Sequence, residues 1–217
     1  MEVIDFSQTN SILNQYMSEI RDIEIQKDRM RFRSNILRIG EIMAYEISKK
    51  LNYIIKDVQT PLDIAKVSIP CEQPVIGTIL RAGLPFHEGL LNFFDKAENA
   101  FVSAYRKYED EKNFNIHIEY IASPRIDEKT LIIADPMLAT GSSMELSYRA
   151  LITKGHPAKI HIATIIASQQ AIEHIKKTFP NDKTTIWCAA IDPKIDEHSY
   201  IVPGLGDAGD LAYGEKE

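Results

Sequence analysis

Leu131-Ile132-Ile133-Ala134-Asp135-Pro136-Met137-Leu138-Ala139-Thr140-Gly141-Ser142-Ser143 runs from an apolar strand through a carboxylate into a turn of small residues that opens a helix. The side chains from Ala139 to Ser143 leave the main-chain N–H groups accessible, and Gly141 tolerates dihedrals that other residues avoid. Met144, Tyr148, Leu151 and Ile152 follow at helical spacing, and Gly155 stands as a C-terminal stop. The turn therefore sits at a helix N-terminus, where unpaired N–H groups favour anions. Asp135 ends a strand that reads as buried, the position at which open α/β sheets bind ligands; a carboxylate there suits ribose hydroxyls or a bound Mg²⁺. The other reading is an ordinary strand-to-helix connection with Ser142 or Ser143 as N-cap.

Outward from this stretch, short apolar strands alternate with helices. Strands are expected at Val75–Leu80, Phe101–Tyr105, Leu131–Ala134, Ile160–Ile166 and Thr184–Ala190, with helices at Leu84–Phe94, Ser143–Lys154 and Gln169–Lys177. That order predicts an α/β fold with a parallel sheet flanked by helices. Upstream, Ile36, Ile39, Gly40, Met43, Ala44, Ile47 and Leu51 form a stripe at helical spacing. The charged run Arg106 to Asn113, followed by Phe114, Ile116, Ile118 and Tyr120 in alternation with polar residues, predicts a protruding β-hairpin with a solvated tip. No internal repeat, low-complexity segment or linker divides the chain, so 1–217 reads as one domain.

Composition narrows the function classes. Of 217 residues, 44% are hydrophobic and 26% charged, enough to bury a substantial core. A net charge of −6 argues against a general nucleic-acid or membrane-surface role, whose footprints are basic. Cys71 and Cys188 form no Cys-x-x-Cys pair and suit a reducing cytoplasm. Met1-Glu2-Val3-Ile4-Asp5 is acidic where a secretory signal would be cationic, and no apolar run approaches the ~18 residues of a membrane span. A soluble, cytoplasmic protein is expected. Gly204-x-Gly206-x-x-Gly209 satisfies the dinucleotide fingerprint literally, but too few residues follow for the helix and strand it requires. No Gly-Lys-Ser or Gly-Lys-Thr supplies a Walker loop, and the histidines show no metal-ligand spacing.

Asp135 to Ser143 resembles the phosphoribosyl pyrophosphate (PRPP) signature of the type I phosphoribosyltransferases, and its Asp-Pro-Met-Leu-Ala-Thr-Gly wording resembles the uracil phosphoribosyltransferases in particular. Ile79 to Leu84, Ala104-Tyr105-Arg106, and the runs Ala190 to Asp192 and His198 to Asp210 are similar to that family in the same order, as are Arg21-Asp22, Phe32-Arg33 and Leu37 to Tyr45. Ser142 departs from it, standing where many relatives carry a second glycine. The resemblance implies a phosphoribosyltransferase-type sheet with a hood formed by the chain ends. It implies conversion of uracil and PRPP to UMP and pyrophosphate, with Mg²⁺ brought by PRPP and no metal held by the protein alone. It also implies a homodimer or homotetramer, and raises GTP as an allosteric effector.

Site residues follow from both arguments. Arg81 and Arg106 each follow a predicted strand and fall at the sheet's C-terminal edge near Asp135; arginine offers fixed charge and a planar fork for phosphate oxygens. By resemblance both contact the pyrophosphate of PRPP, with Asp135, Pro136, Met137, Leu138, Ala139, Thr140, Gly141, Ser142, Ser143 and Asp207 completing that site. Arg106 and Asp207 are the catalytic candidates. The structural alternatives are surface arginines paired with acidic neighbours, and for Asp207 a turn aspartate bonding its own backbone. Uracil presents carbonyl acceptors and a ring N–H, and the resemblance assigns their recognition to main-chain atoms of Ile201, Gly206, Asp207 and Ala208. The hairpin after Arg106 is either a lid over PRPP or a solvated tip. Transfer to another base, and a PRPP-sensing regulator or RNA-binding attenuator on the same fold, are the competing functions; the Tyr200 to Asp210 run counts against the first and the acidic balance against the second.

Overall fold

The computed structural model describes residues 1–108 and 114–215, without the side chains of 104–108 and 114–118. In chain order the strands and helices are β1 (Glu2–Asp5), α1 (Leu13–Arg21), α2 (Arg29–Ser48), β2 (Tyr53–Gln59), β3 (Ile64–Pro70), β4 (Val75–Leu80), α3 (Gly83–Leu91), β5 (Glu98–Tyr108), β6 (Phe114–Ala122), β7 (Thr130–Ala134), β8 (Met137–Leu138), α4 (Ser142–Leu151), β9 (Lys159–Ser168), α5 (Gln169–Thr178), β10 (Thr184–Asp192), β11 (Lys194–Ile195), β12 (Ile201–Val202) and α6 (Ala208–Tyr213).

The central sheet runs β1-β10-β9-β7-β4-β5-β6, with β8 added against β9. The neighbouring pairs from β1 to β5 are parallel and β5–β6 is antiparallel. Strands β4, β7, β9 and β10 are apolar runs because both faces are covered. Their side chains alternate accordingly: Leu131 and Ile133 pack with α4 and α5 through Met144, Leu151, Ile172 and Ile175. Ile132 and Ala134 point the other way, into a cluster with Phe32, Ile36, Ile39 and Met43 of α2 and Phe86 and Leu90 of α3. The stripe read from the sequence is the buried face of α2, and that helix begins where Asp28 accepts the N–H groups of Met30 and Arg31.

Several boundaries differ from the expected ones. Helix α3 begins one residue early and ends at Leu91, and the last turn of the helix expected through Lys154 is 3₁₀ over Ile152–Lys154. Gly155 does terminate it, at φ +132°. The predicted hairpin is β5–β6, whose tip, 109–113, lies outside the described residues. A second antiparallel ribbon, β2–β3, was not foreseen; it stands apart from the central sheet. The chain's first strand also enters the sheet edge, so of the chain ends expected to form a hood it is α1 and the segment after β10 that meet, through Arg21 and the Gly204 carbonyl. Among the described residues no helix is long and apolar enough to cross a membrane.

Candidate active site

The chain after β4 turns into α3 on one face of the sheet, while the chain after β7 turns into α4 on the other. Because β4 and β7 are neighbours, paired from Val75↔Leu131 to Thr78↔Ala134, their C-terminal ends form a topological switch point, the crevice in which open α/β sheets bind ligands. Arg81 leaves one lip of this crevice and Asp135 the other.

The stretch from Asp135 to Ser143 forms a cradle. Gly141 is the N-cap of α4 in a left-handed conformation (φ +85°), with no side-chain hydrogen bond at the cap. Neither Ser142 nor Ser143 performs the capping role considered for them, so the start of α4, apart from the Ser142 N–H, is open to an incoming anion. Thr140 Oγ1 accepts the Ser142 N–H at 3.3 Å and ties the turn together. A Cβ on Gly141 would lie 2.9 Å from Cδ2 of His174, which reaches over from α5. His174 Nε2 meets Glu145 at 2.7 Å and Arg149 pairs with the same carboxylate. Burial opposes the Glu145 charge, but these two partners hold it below the ordinary carboxylate range.

A cavity of about 100 Å³ is lined by Asp135, Met137 to Gly141, Ser143 and Met144. Burial pushes the Asp135 carboxyl up to about 7, against a weak opposing pull from the Met137 N–H at 3.4 Å. A cation or a ribose hydroxyl meeting this group would favour its ionised form. The carboxylate and the open cradle thus fit a magnesium-bearing phosphate ester. Pro136 is buried in the cradle wall, and its carbonyl accepts from Ile165 and Ile166 of β9. A larger open hollow of about 480 Å³ lies at the other end of α4, beside Arg125, Asp127 and His156. Within it Arg125 pairs with Asp127 at 3.1 Å, and Asp127 accepts the His156 N–H at 2.9 Å.

The third part is the segment from Asp192 to Gly214. Strands β11 and β12 pair around a turn in which Asp196 accepts the N–H groups of His198 and Tyr200. The Val202–Pro203 peptide is cis, as is Leu80–Arg81 at the end of β4. Gly204 (φ +59°) has room for no side chain, since a Cβ would fall 2.0 Å from the Ile201 carbonyl. Its backbone is held on both sides: Arg21 donates to the Gly204 carbonyl at 2.9 Å, and Asp192 accepts the Gly204 N–H at 2.8 Å. Arg21 and Asp192 are joined by two bonds of 2.8 Å. The Gln26 amide, with its NH₂ turned inward, donates to the Leu205 carbonyl at 2.8 Å. Ile201, Leu205 and Ala208 are buried in the cluster that also packs Ala82, Met137 and Ala139, so the segment from Asp192 to Gly214, the cradle and the Arg81 loop share one foundation.

Asp207 is the N-cap of α6, accepting the N–H groups of Gly209 and Asp210 at 2.8 and 3.0 Å, the turn geometry weighed for it from sequence. Arg81 donates Nη2 to Asp210 at 2.8 Å and lies 3.4 Å from the Gly214 carbonyl, so it does pair with an acidic neighbour. The Arg106 side chain lies outside the described residues; its backbone faces Ile116 on β6, beyond the last pairing of β5 with β4 at Leu80↔Ser103. Three features escaped sequence reasoning: the Arg21–Asp192 clamp, the Arg81–Asp210 pair and the His174–Glu145 brace. The members of the first two pairs stand among the family-like residues, and an acidic neighbour was the structural alternative for Arg81, but the pairings themselves had no signal.

A family profile described as uracil phosphoribosyltransferase matches residues 7–215. The chain is 67% identical over 216 residues to a uracil phosphoribosyltransferase of Porphyromonas gingivalis, covering 100% of both chains. It is 36% identical over 212 residues to one from Sulfolobus acidocaldarius, covering 94% of this chain and 96% of the relative. Among solved structures it is similar to the AQ2163 protein from Aquifex aeolicus, with TM-score 0.85, 27% identity and 98% of each chain covered. A purine phosphoribosyltransferase from Pyrococcus horikoshii, at TM-score 0.50 and 14% identity over 74% of this chain and 84% of its own, shares the fold.

Proposed function

The chain belongs to the uracil phosphoribosyltransferase family and converts uracil and PRPP to UMP and pyrophosphate, and we propose that the crevice between β4 and β7 carries out this transfer with the following division of labour. The N–H groups from Ala139 to Ser143 hold a phosphate of PRPP, and Asp135 accepts from the ribose. As the bond between ribose C1 and pyrophosphate breaks, positive charge grows on the sugar and negative charge on the leaving group. Arg81 and Arg106 stabilise the departing charge, a role worth about 3–4 kcal/mol per well-placed donor. Asp135 and Asp207 are the carboxylates that would meet the hydration shell of a Mg²⁺ arriving with PRPP, which would add to the neutralisation of the pyrophosphate.

Main-chain atoms of Ile201 and of Gly206 to Ala208 read uracil. Cytosine reverses donor and acceptor at two positions, and each buried group left unpaired costs about 1–3 kcal/mol. The clamp of Arg21, Asp192 and Gln26 on Gly204 and Leu205 supports this reading, because a backbone reader discriminates only if its carbonyls and N–H groups cannot rotate. The observation that carries the whole assignment is the α4 N-terminus, opened by a left-handed Gly141 without a side-chain cap beside Asp135.

We further propose a cytoplasmic homodimer or homotetramer. The β2–β3 ribbon leaves Ile54, Ile55, Val58, Ile64 and Val67 exposed. A free two-stranded ribbon is marginally stable, so this one is suited to lie against another subunit. The deciding experiment incubates the protein with PRPP, Mg²⁺ and, separately, uracil, cytosine, orotate, adenine or hypoxanthine, and quantifies nucleotide and pyrophosphate. UMP and pyrophosphate in equal amounts from uracil alone is the expected result. Transfer to another base would overturn the reading of Ile201 and Gly206 to Ala208, and PRPP binding without transfer would replace the enzyme with a regulator.

A further inference from the structure

We propose that Asp210, through its ion pair with Arg81, couples the base segment to the pyrophosphate side of the crevice, so that uracil and pyrophosphate strengthen each other's binding. The inference rests on the functional reading above and assigns Asp210 as a positioning residue.

The argument is one of connected geometry. Segment 204–210 is fixed at one end, where Gly204 is held by Arg21 and Asp192. At its other end Asp210 takes the Nη2 group of Arg81. Between them Asp207 fixes the start of α6 by accepting the Asp210 N–H, so the main chain assigned to uracil and the carboxylate that grips Arg81 are consecutive parts of one strut. The packing is close: a Cβ on Gly209 would stand 3.1 Å from Asp207 Oδ1 and 3.4 Å from Arg81 Nη2. A shift of residues 206–208 is therefore passed towards Arg81 through Asp207 and Gly209.

Asp210 takes Nη2 of the guanidinium and the Gly214 carbonyl lies 3.4 Å from both Nη1 and Nη2; of the five N–H groups of the fork, Nε–H and the second hydrogen of Nη1 are left to offer an anion. Its effect is to aim a long side chain that is 39% exposed and would otherwise lose rotamer freedom only when pyrophosphate arrives. Uracil bound to the main chain of 206–208 steadies the strut and thus the aim of Arg81. Reciprocity then requires pyrophosphate to tighten uracil by the same factor. The carboxylate also offsets the arginine's charge, so its removal should alter the linkage far more than the bare affinity for an anion.

The test is calorimetric titration of magnesium pyrophosphate with and without saturating uracil, a pair that undergoes no reaction. In the unmodified protein uracil should tighten pyrophosphate by at least about fivefold. In Asp210→Asn the gain should fall below about twofold, with bare pyrophosphate affinity within about threefold of the original, and Asp210→Glu should recover part of the gain. Absence of a uracil-linked gain in the unmodified protein, or its retention in Asp210→Asn, overturns the proposal. Should Asp210→Asn lack a cooperative thermal transition, Arg81→Lys replaces it, because lysine has no fork to be aimed; retained linkage there is equally fatal. The same preparation is assayed for UMP formation: UMP formed with linkage intact in Asp210→Asn defeats this proposal alone, whereas absence of UMP defeats the functional reading.

Discussion

Replacing Arg21 with methionine tests whether the base segment is held from outside or stands by itself. The Asp192 side chain is 7% exposed and receives two 2.8 Å bonds from Arg21 and one from the Gly204 N–H. Methionine keeps the aliphatic stem but leaves that carboxylate buried without its counter-ion, and frees the Gly204 carbonyl. Breaking a buried pair costs about 3–5 kcal/mol. Arg21 is 25% exposed, so water can partly replace it and the loss should fall near the lower limit, about 3 kcal/mol. For a chain of this size each kcal/mol moves the thermal midpoint by about 2–4 °C, so a drop of about 6–12 °C is expected by circular dichroism. Because the clamp acts on Gly204 and not on the cradle at Gly141, the KM for uracil should rise by about tenfold, equivalent to ~1.4 kcal/mol, while the KM for PRPP stays within about twofold. Arg21→Met/Asp192→Leu should recover part of the stability by removing the orphaned charge, but not the uracil KM. A stability loss under about 1 kcal/mol, or equal rises in both KM values, would refute the clamp.

Four other perturbations probe separate parts of the site. Gly141→Ala must adopt φ +85° and meet His174, at a cost of about 1–2 kcal/mol; PRPP KM should rise with uracil KM unchanged, and an unchanged PRPP KM would remove the cradle from the site. Asp135, held near 7 against an ordinary 3.8, keeps a proton in the folded chain that the unfolded chain has lost, so the unliganded protein should lose stability as pH climbs from about 4 to 7. Asp135→Asn should flatten that slope in denaturant titrations, and an identical slope would contradict the burial argument. Arg106→Ala should lower kcat by about 10²–10³ with little change in thermal midpoint, whereas full turnover would exclude its role at the leaving group. Ile55→Asp on the β2–β3 ribbon should lower the mass in sedimentation, and an unchanged mass would direct the search for the subunit contact elsewhere.

The parts of this protein that were legible in its sequence are those governed by local rules. Leu131 to Ala134 had to be a buried strand because four apolar residues precede a carboxylate, and Gly141 had to open the turn because of the conformation it permits. Gly155 ended the helix for a similar reason. The β2–β3 ribbon was illegible because Tyr53–Gln59 and Ile64–Pro70 mix charged and apolar residues without a clean alternation, as suits a ribbon exposed on both faces. Strand β8 spans two residues, too short to leave a pattern. The braces of the site were hidden for a different reason. Arg21 and Asp192 lie 171 residues apart, and Arg81 and Asp210 lie 129 apart; nothing in either neighbourhood names the partner. Charged side chains declare their chemistry in sequence, but their pairing is a property of the assembled sheet.

The edge strand β1 has a consequence for how the chain is made. Residue 2 pairs with residue 185, alongside a strand that itself depends on β9. During synthesis β1 must wait for about 180 further residues before its hydrogen-bonding groups find a neighbour in β10. A nascent chain stalled before residue 184 would present an unpaired β1 and an uncovered β9 edge to the surrounding cell, a vulnerability that ends when β10 fills the gap between them.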